Sequence, residues 1–152
     1  RRQRQMCIRD RNMGGYADFT AGDDGLDAID YAIKNAPFDK ITLSSDSNGS
    51  VPIWSDDKEL LGIGAAKITE LFDTIKALSH NYGYGLGEMI KLASTNAAKA
   101  LEIDHITGEI KEGLSLDLMA LDDNDDIDTV ISKGVVEMKD KKVLRKTNFS
   151  DF

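Results

Sequence analysis

The sequence predicts an α/β fold that gives way to an all-β tail. Helical and strand periodicities alternate as far as Leu101, and only short strand-like runs follow Glu102. The composition is that of a globular chain, with 41% hydrophobic residues, 30% charged residues and 2 prolines. A length of 152 residues suffices for one ordinary domain. It falls well short of the roughly 250 residues of a closed (β/α)8 barrel.

The elements follow in order. Asn12 to Thr20 (NMGGYADFT) pairs two glycines with a strand-like stretch, and Gly22 to Gly25 reads as a turn or cap. Leu26, Ile29, Ala32 and Ile33 then recur at helical spacing. Asp23 and Asp24 stand where a helix N-terminus favours negative charge, and Pro37 terminates the helix. Ile41 to Ser45 is a β-branched run followed by the polar loop Asp46 to Ser50. Ala65, Ile68, Leu71, Phe72, Ile75 and Leu78 predict an amphipathic helix from Gly64 to Leu78. Tyr82 to Gly87 punctuates the chain. Two short helices are expected over Leu86–Leu92 and Ser94–Leu101, the second capped by Ser94 or Thr95. Strands are expected over Glu109–Lys111, Leu116–Leu121, Thr129–Ser132, Val135–Met138 and Lys142–Leu144, with hairpin turns at 132–134 and 139–141.

Charge and cysteine content exclude several classes. The 19 basic against 27 acidic residues give a net charge of −8, which argues against binding nucleic acid by phosphate neutralisation. No apolar run approaches the roughly 18 residues of a membrane-spanning helix. The single cysteine, Cys7, excludes a disulfide framework and a cysteine zinc cluster. The charge is unevenly spread: Arg1, Arg2, Arg4, Arg9 and Arg11 against Asp10 give the first 11 residues +4, leaving −12 for residues 12–152. A basic arm and a non-native leader on a truncated reading frame both fit residues 1–11. Their likeness to translated adapter sequence favours the leader. They lack the apolar core of a secretory signal.

Most candidate sites have a bland reading. Asp122, Asn124 and Asp126 have the first three spacings of a calcium loop, but Ile127 replaces its turn glycine and Lys133 its closing glutamate, so a solvated loop between strands is expected. Gly83-Tyr84-Gly85-Leu86-Gly87 lacks the dinucleotide-binding register and reads as a turn between helices. Gly62-Ile63-Gly64 precedes the expected helix without the companions of a phosphate loop. His80 ends a helix and His105 lies in a turn, in no zinc-binding spacing. The informative segment is Thr42 to Ser50, TLSSDSNGS. Asp46 follows a hydrophobic strand amid small residues, where α/β enzymes place their chemistry, although capping of a turn also fits.

These residues carry a resemblance. KITLSSDSNGSVPIW, with the preceding GGYADFT, resembles the end of a β-aspartyl (isoaspartyl) dipeptidase of the amidohydrolase superfamily. STNAAKALEI, TGEIKEGLSLDLMALD and TVISKGVVEMKDKKVL are similar to the C-terminal passage of amidohydrolases in general. The resemblance runs from about Met13 to Val143, and the S-S-D-x-N-G-S run points to the dipeptidase branch. It implies a fold in which residues 12–101 are the C-terminal portion of a (β/α)8 metal-dependent hydrolase barrel and residues 102–152 contribute strands of a small β-sandwich.

In that family two zinc ions activate a hydroxide that attacks the amide of an isoaspartyl dipeptide. The resemblance places Asp46 at the end of barrel strand 8, as a zinc ligand and as the general base and acid. Ser50 would bind the substrate's carboxylate, and Gly49 would permit the close turn between them. The other metal ligands and the substrate-binding arginine would lie upstream, so the chain alone is expected to be inactive. The tail departs from the family's G-x-D-A-D-L at Gly113-Leu114-Ser115-Leu116-Asp117-Leu118, keeping Asp117 and Leu118. Further expectations are a small dipeptide partner, no nucleic-acid or membrane partner, and a cytoplasmic, homo-oligomeric parent. A dihydroorotase-like or N-acyl amino-acid deacetylase-like amidohydrolase is the alternative within the superfamily. A non-catalytic binding module is the alternative outside it.

Overall fold

Two short parallel strands form the centre of the first half: β1, Ala17–Thr20, pairs with β2, Ile41–Ser44, in the register Ala17↔Ile41 to Thr20↔Ser44. The helix α1, Leu26–Asn35, crosses between them. Parallel strands need such a crossover. The computed structural model describes residues 14–145 apart from 23, 24, 48, 58, 66 and 68. The expected leader at 1–11, and Asp23 and Asp24, expected to complement a helix N-terminus by their charge, lie outside the described residues. A single 3₁₀ turn, Phe38–Lys40, follows Pro37 and leads into β2.

After β2 come the antiparallel strands β3, Ser50–Trp54, and β4, Leu60–Ala65, then the helix α2, Glu70–Tyr82. Next stand α3, Leu86–Met89, a 3₁₀ turn over Ile90–Leu92, and α4, Thr95–Ala100. Four strands close the chain as an antiparallel meander: β5, Leu118–Leu121; β6, Ile127–Ser132; β7, Val135–Lys139; and β8, Lys142–Val143. No helix among the described residues is long and apolar enough to cross a membrane.

The core is built from one face of α1, β2 and α2 and from the segment that follows α2. Ile29 and Ala32 of α1, Ile41 and Leu43 of β2, Ile75 and Leu78 of α2, and Met89 and Leu92 form one buried cluster. Burial of aliphatic side chains of this size stabilises by about 2 kcal/mol each before entropy is counted. Polar ties fix the layers. Asn96, buried on α4, donates from Nδ2 to the carbonyls of Phe38 (2.8 Å), in the turn before β2, and Ile41 (2.9 Å), the first residue of β2. Thr74, buried on α2, accepts the Gly22 N–H at 2.9 Å. The Tyr82 and Tyr84 hydroxyls donate to Asp27 (2.7 Å) and Asp30 (2.8 Å) of α1.

Several expectations need correction. The helix expected from Gly64 begins at Glu70, because Leu60 to Ala65 pair with Ser50 to Trp54. Glycines at 62 and 64 are poor helix residues that an antiparallel ribbon tolerates. Gly62-Ile63-Gly64 therefore lies in a strand and not before a helix N-terminus. No strand forms over Glu109–Lys111: Gly108 (φ +103°) and Gly113 (φ +91°) bend the chain on either side of it. Neither Ser94 nor Thr95 caps α4. The Ser94 hydroxyl donates to the Ile90 carbonyl at 2.9 Å, and the Thr95 hydroxyl donates to that of Gly108 at 2.8 Å. Both tail hairpins turn where expected, with positive φ at Lys133 and Gly134 and at Asp140 and Lys141.

Asn96→Ala would strip two buried carbonyls of their donor, so it is expected to lower the unfolding free energy by about 2 kcal/mol. Urea denaturation measures this, and an unchanged midpoint would show that Asn96 does not bind α4 to the entry of β2.

Candidate functional site

The two faces of the parallel pair differ in chemistry. Ile41 and Leu43 point into the helix-side core, where Phe19 packs against them. The period of two then sends Asp18, Thr20, Thr42 and Ser44 to the opposite face. Asp18 stands level with Thr42 and accepts one hydroxyl on each oxygen: Thr42 Oγ1 on Oδ1 at 2.7 Å and Ser44 Oγ on Oδ2 at 2.5 Å.

Asp46 lies just beyond the C-terminal end of β2, on this polar side. Its backbone has φ +45°, in the left-handed region that Asp enters more readily than most residues. The Gly49 N–H donates to its carbonyl at 2.8 Å and closes a tight turn. A Cβ on residue 49 would lie 2.7 Å from that carbonyl oxygen, so the turn admits only glycine without moving. Ser45 and Ser47 brace the same loop through a hydroxyl pair at 2.7 Å. The Asp46 carboxylate receives the Thr20 hydroxyl on Oδ2 at 3.2 Å. Of the three site residues read from the sequence, the structure joins Asp46 and Gly49 in one turn. Ser50 follows as the first residue of β3, and its side chain lies outside the described residues. Asp18 and Thr20 escaped the sequence reading. Their signal was alternation in YADFT, where polar side chains interleave with Ala17 and Phe19.

A carboxylate is an ordinary zinc donor, and an exposed one at a strand terminus can reach both a metal and a substrate. Among the described residues no group of three or more His, Cys, Asp or Glu is arranged to hold a metal ion. Asp46 therefore fits a zinc centre as one donor of a set that the described residues do not complete. The two histidines add nothing to it: His80 pairs with Asp125 at 2.9 Å, and His105 is an exposed turn residue.

The acidic turn between β5 and β6 also turns its charge to structural use. Asp122 Oδ1 accepts the N–H groups of Asn124 (2.9 Å) and Asp126 (3.0 Å), while Lys141 reaches its Oδ2 at 2.7 Å. Asp126 pairs with Lys76 of α2 at 2.9 Å. The expected solvated loop is thus tied to both the meander and α2. The Lys141 ammonium, with the two backbone N–H groups, pulls the Asp122 carboxyl down to about 2.

Comparison with known proteins gives a consistent picture. The amidohydrolase family model matches residues 16–143. A β-aspartyl dipeptidase from the thermophilic, keratin-degrading Fervidobacterium islandicum AW-1, in complex with a β-Asp-Leu dipeptide, superposes with a TM-score of 0.83 and 30% identity. The superposition covers 98% of this chain and 40% of that one. Another structure of a β-aspartyl dipeptidase from the same organism gives a TM-score of 0.77 and 28% identity, covering 98% of this chain and 38% of that one. N-acetylglucosamine-6-phosphate deacetylase from Pasteurella multocida shares the fold, with a TM-score of 0.64 and 19% identity over 82% of this chain and 37% of that one. The chain thus spans less than half the length of each.

The depressed Asp122 carboxyl has a direct consequence. A folded value below the ordinary one means that its stabilisation is full above about pH 4 and is lost as pH falls towards 2. Amide exchange at Asn124 and Asp126 should therefore accelerate across that window, and Lys141→Ala should move the acceleration to higher pH. An unmoved profile would show that Lys141 does not hold the turn.

Proposed function

Because the chain belongs to the amidohydrolase family, with residues 16–143 matching its model, we propose that it is the C-terminal part of a zinc-dependent β-aspartyl dipeptidase. One observation carries this reading. Asp46 stands beyond the C-terminal end of a parallel strand, in a chain that superposes over 98% of its length on a β-aspartyl dipeptidase. That is the end of the strands where barrel enzymes place their chemistry. In this reading the substrate is a small dipeptide joined through an aspartyl side-chain carboxyl.

In this reading the residues of the turn take the following roles. Asp46 accepts the proton of the attacking water and returns it to the leaving amine, since one carboxylate can serve as base and then as acid. Gly49 keeps the backbone close enough for the loop to turn directly into β3. The Ser50 hydroxyl donates to the substrate's free carboxylate. Zinc, when bound, would polarise the scissile carbonyl and ease deprotonation of water, with Asp46 as one of its ligands. Chain residues beyond those present here supply the remaining ligands. The chain by itself is therefore inactive, and the parent is a cytoplasmic homo-oligomer.

The test uses the enzyme expressed from the complete reading frame. It is expected to hydrolyse β-Asp-Leu, to lose activity on chelation and to regain it with zinc. Asp46→Ala should lower kcat by about a thousandfold. A complete enzyme inert towards β-aspartyl dipeptides would overturn the dipeptidase reading. Near-normal turnover in Asp46→Ala would remove that residue from the chemistry. For the 152-residue chain itself, the solvent-facing aliphatics of β3 and β4, Ile53, Leu60, Leu61 and Ile63, lead to an expectation of self-association in sedimentation. A well-folded monomer would favour a free-standing binding module.

A further inference from the structure

We propose that Thr20 is a positioning residue for the Asp46 carboxylate, holding Oδ2 so that Oδ1 faces the reacting groups, and that Asp18 clamps the strand that carries it. The proposal rests on the reading of Asp46 as the proton carrier and extends it to a residue on the neighbouring strand.

The backbone around Asp46 is fixed by its positive φ and by the Gly49 hydrogen bond. That fixes Cα and Cβ but not the plane of the carboxylate, because the last torsion of Asp is a broad, weakly restrained one. Among the described residues, the side-chain contact that sets this plane is the Thr20 hydroxyl on Oδ2 at 3.2 Å. No described residue engages Oδ1. Thr20 is level with Ser44 in the parallel register, so its hydroxyl arises one strand over, beside the point where the chain leaves β2 for Asp46.

Thr20 can hold Asp46 only if β1 cannot slide against β2. Asp18 supplies that restraint on the same face. Its oxygens take the Thr42 and Ser44 hydroxyls at 2.7 and 2.5 Å, bridging two successive outward positions of β2. The Ala21 N–H then donates to the Ser44 carbonyl at 2.7 Å and carries the pairing past Thr20. The series Asp18, Thr20, Asp46 is thus continuous through strand register and hydrogen bonds. A displacement of about 1 Å in a reacting group can cost on the order of a hundredfold in rate.

Thr20→Val keeps the branched shape and removes the hydroxyl, and Thr20→Ser keeps the hydroxyl alone. In the complete enzyme, Thr20→Val is expected to lower kcat by about 10- to 100-fold with KM changed less than about twofold, the pattern of a contact that matters in the transition state. Thr20→Ser should stay within about threefold of the parent. Crystal structures provide a readout independent of turnover: the Asp46 carboxylate should turn away from residue 20 in Thr20→Val and keep its plane in Thr20→Ser. Thr20→Ala serves in place of the valine variant if that one melts early. A kcat unchanged in Thr20→Val, an equal loss in Thr20→Ser, or an Asp46 carboxylate unmoved in Thr20→Val would each overturn the proposal. Should the parent not cleave β-aspartyl dipeptides, the dipeptidase reading fails and the two variant structures still decide the role of Thr20.

Discussion

Residues Ile41 to Ser44 lie between two environments, and their alternation separates the apolar packing of the first half from its polar face. Ile41 and Leu43 join the helices in one buried cluster, whereas Thr42 and Ser44 bond to Asp18 on the other side. A slip of one residue in the pairing of β1 with β2 would exchange these faces, burying hydroxyls among Ile29, Ile75 and Leu78. The register of four residue pairs is therefore the constraint on which the rest depends. It is secured from the helix side by Asn96, whose amide binds the carbonyls of Phe38, just before the strand, and of Ile41, its first residue. Position in the core and position in the site are set by the same short strand.

The turn that follows fixes where the Asp46 carboxylate stands relative to this register. A strand ending at Ser44 could continue straight, but φ +45° at Asp46 reverses the chain immediately. The Gly49 N–H closes the reversal, and a side chain at 49 would collide with the carbonyl it bonds. Left-handed backbone at a non-glycine residue costs of order 1 kcal/mol or more and persists where the surroundings impose it. Here they are the ladder behind Asp46, the hydrogen-bonded turn ahead of it and the Thr20 hydroxyl beside it. The strained residue is also the one whose carboxylate is exposed at the strand terminus.

Much of this was legible in the sequence, for reasons that can be named. The strand at Ile41, the helix at Leu26 and the tail hairpins each declare themselves within a dozen residues, through apolar period, proline and turn glycines. The SSDSNGS run marked its loop as informative for the same local reason. What stayed hidden depends on partners distant in sequence. Residues Ser50–Trp54 do not alternate cleanly and become a strand through pairing with Leu60–Ala65. That pairing also removed Gly64 and Ala65 from the helix their spacing had suggested. Asp18 looks like a surface residue of a short strand until the register sets it beside Thr42, 24 positions away.

The acidic turn shows the same dependence on distant partners in another form. By spacing, Asp122 to Asp126 are a failed calcium loop and nothing more. In the fold, cations come from two other elements: Lys141 from the β7–β8 turn meets Asp122, while Lys76 and His80 of α2 meet Asp126 and Asp125. Each exposed pair is individually weak and is screened by salt. Together they attach the meander to the helix that also packs Ile75 and Leu78 against β2. The meander is thereby linked to β2 through α2, whose residues Lys76 and His80 face the acidic turn while Ile75 and Leu78 face the core.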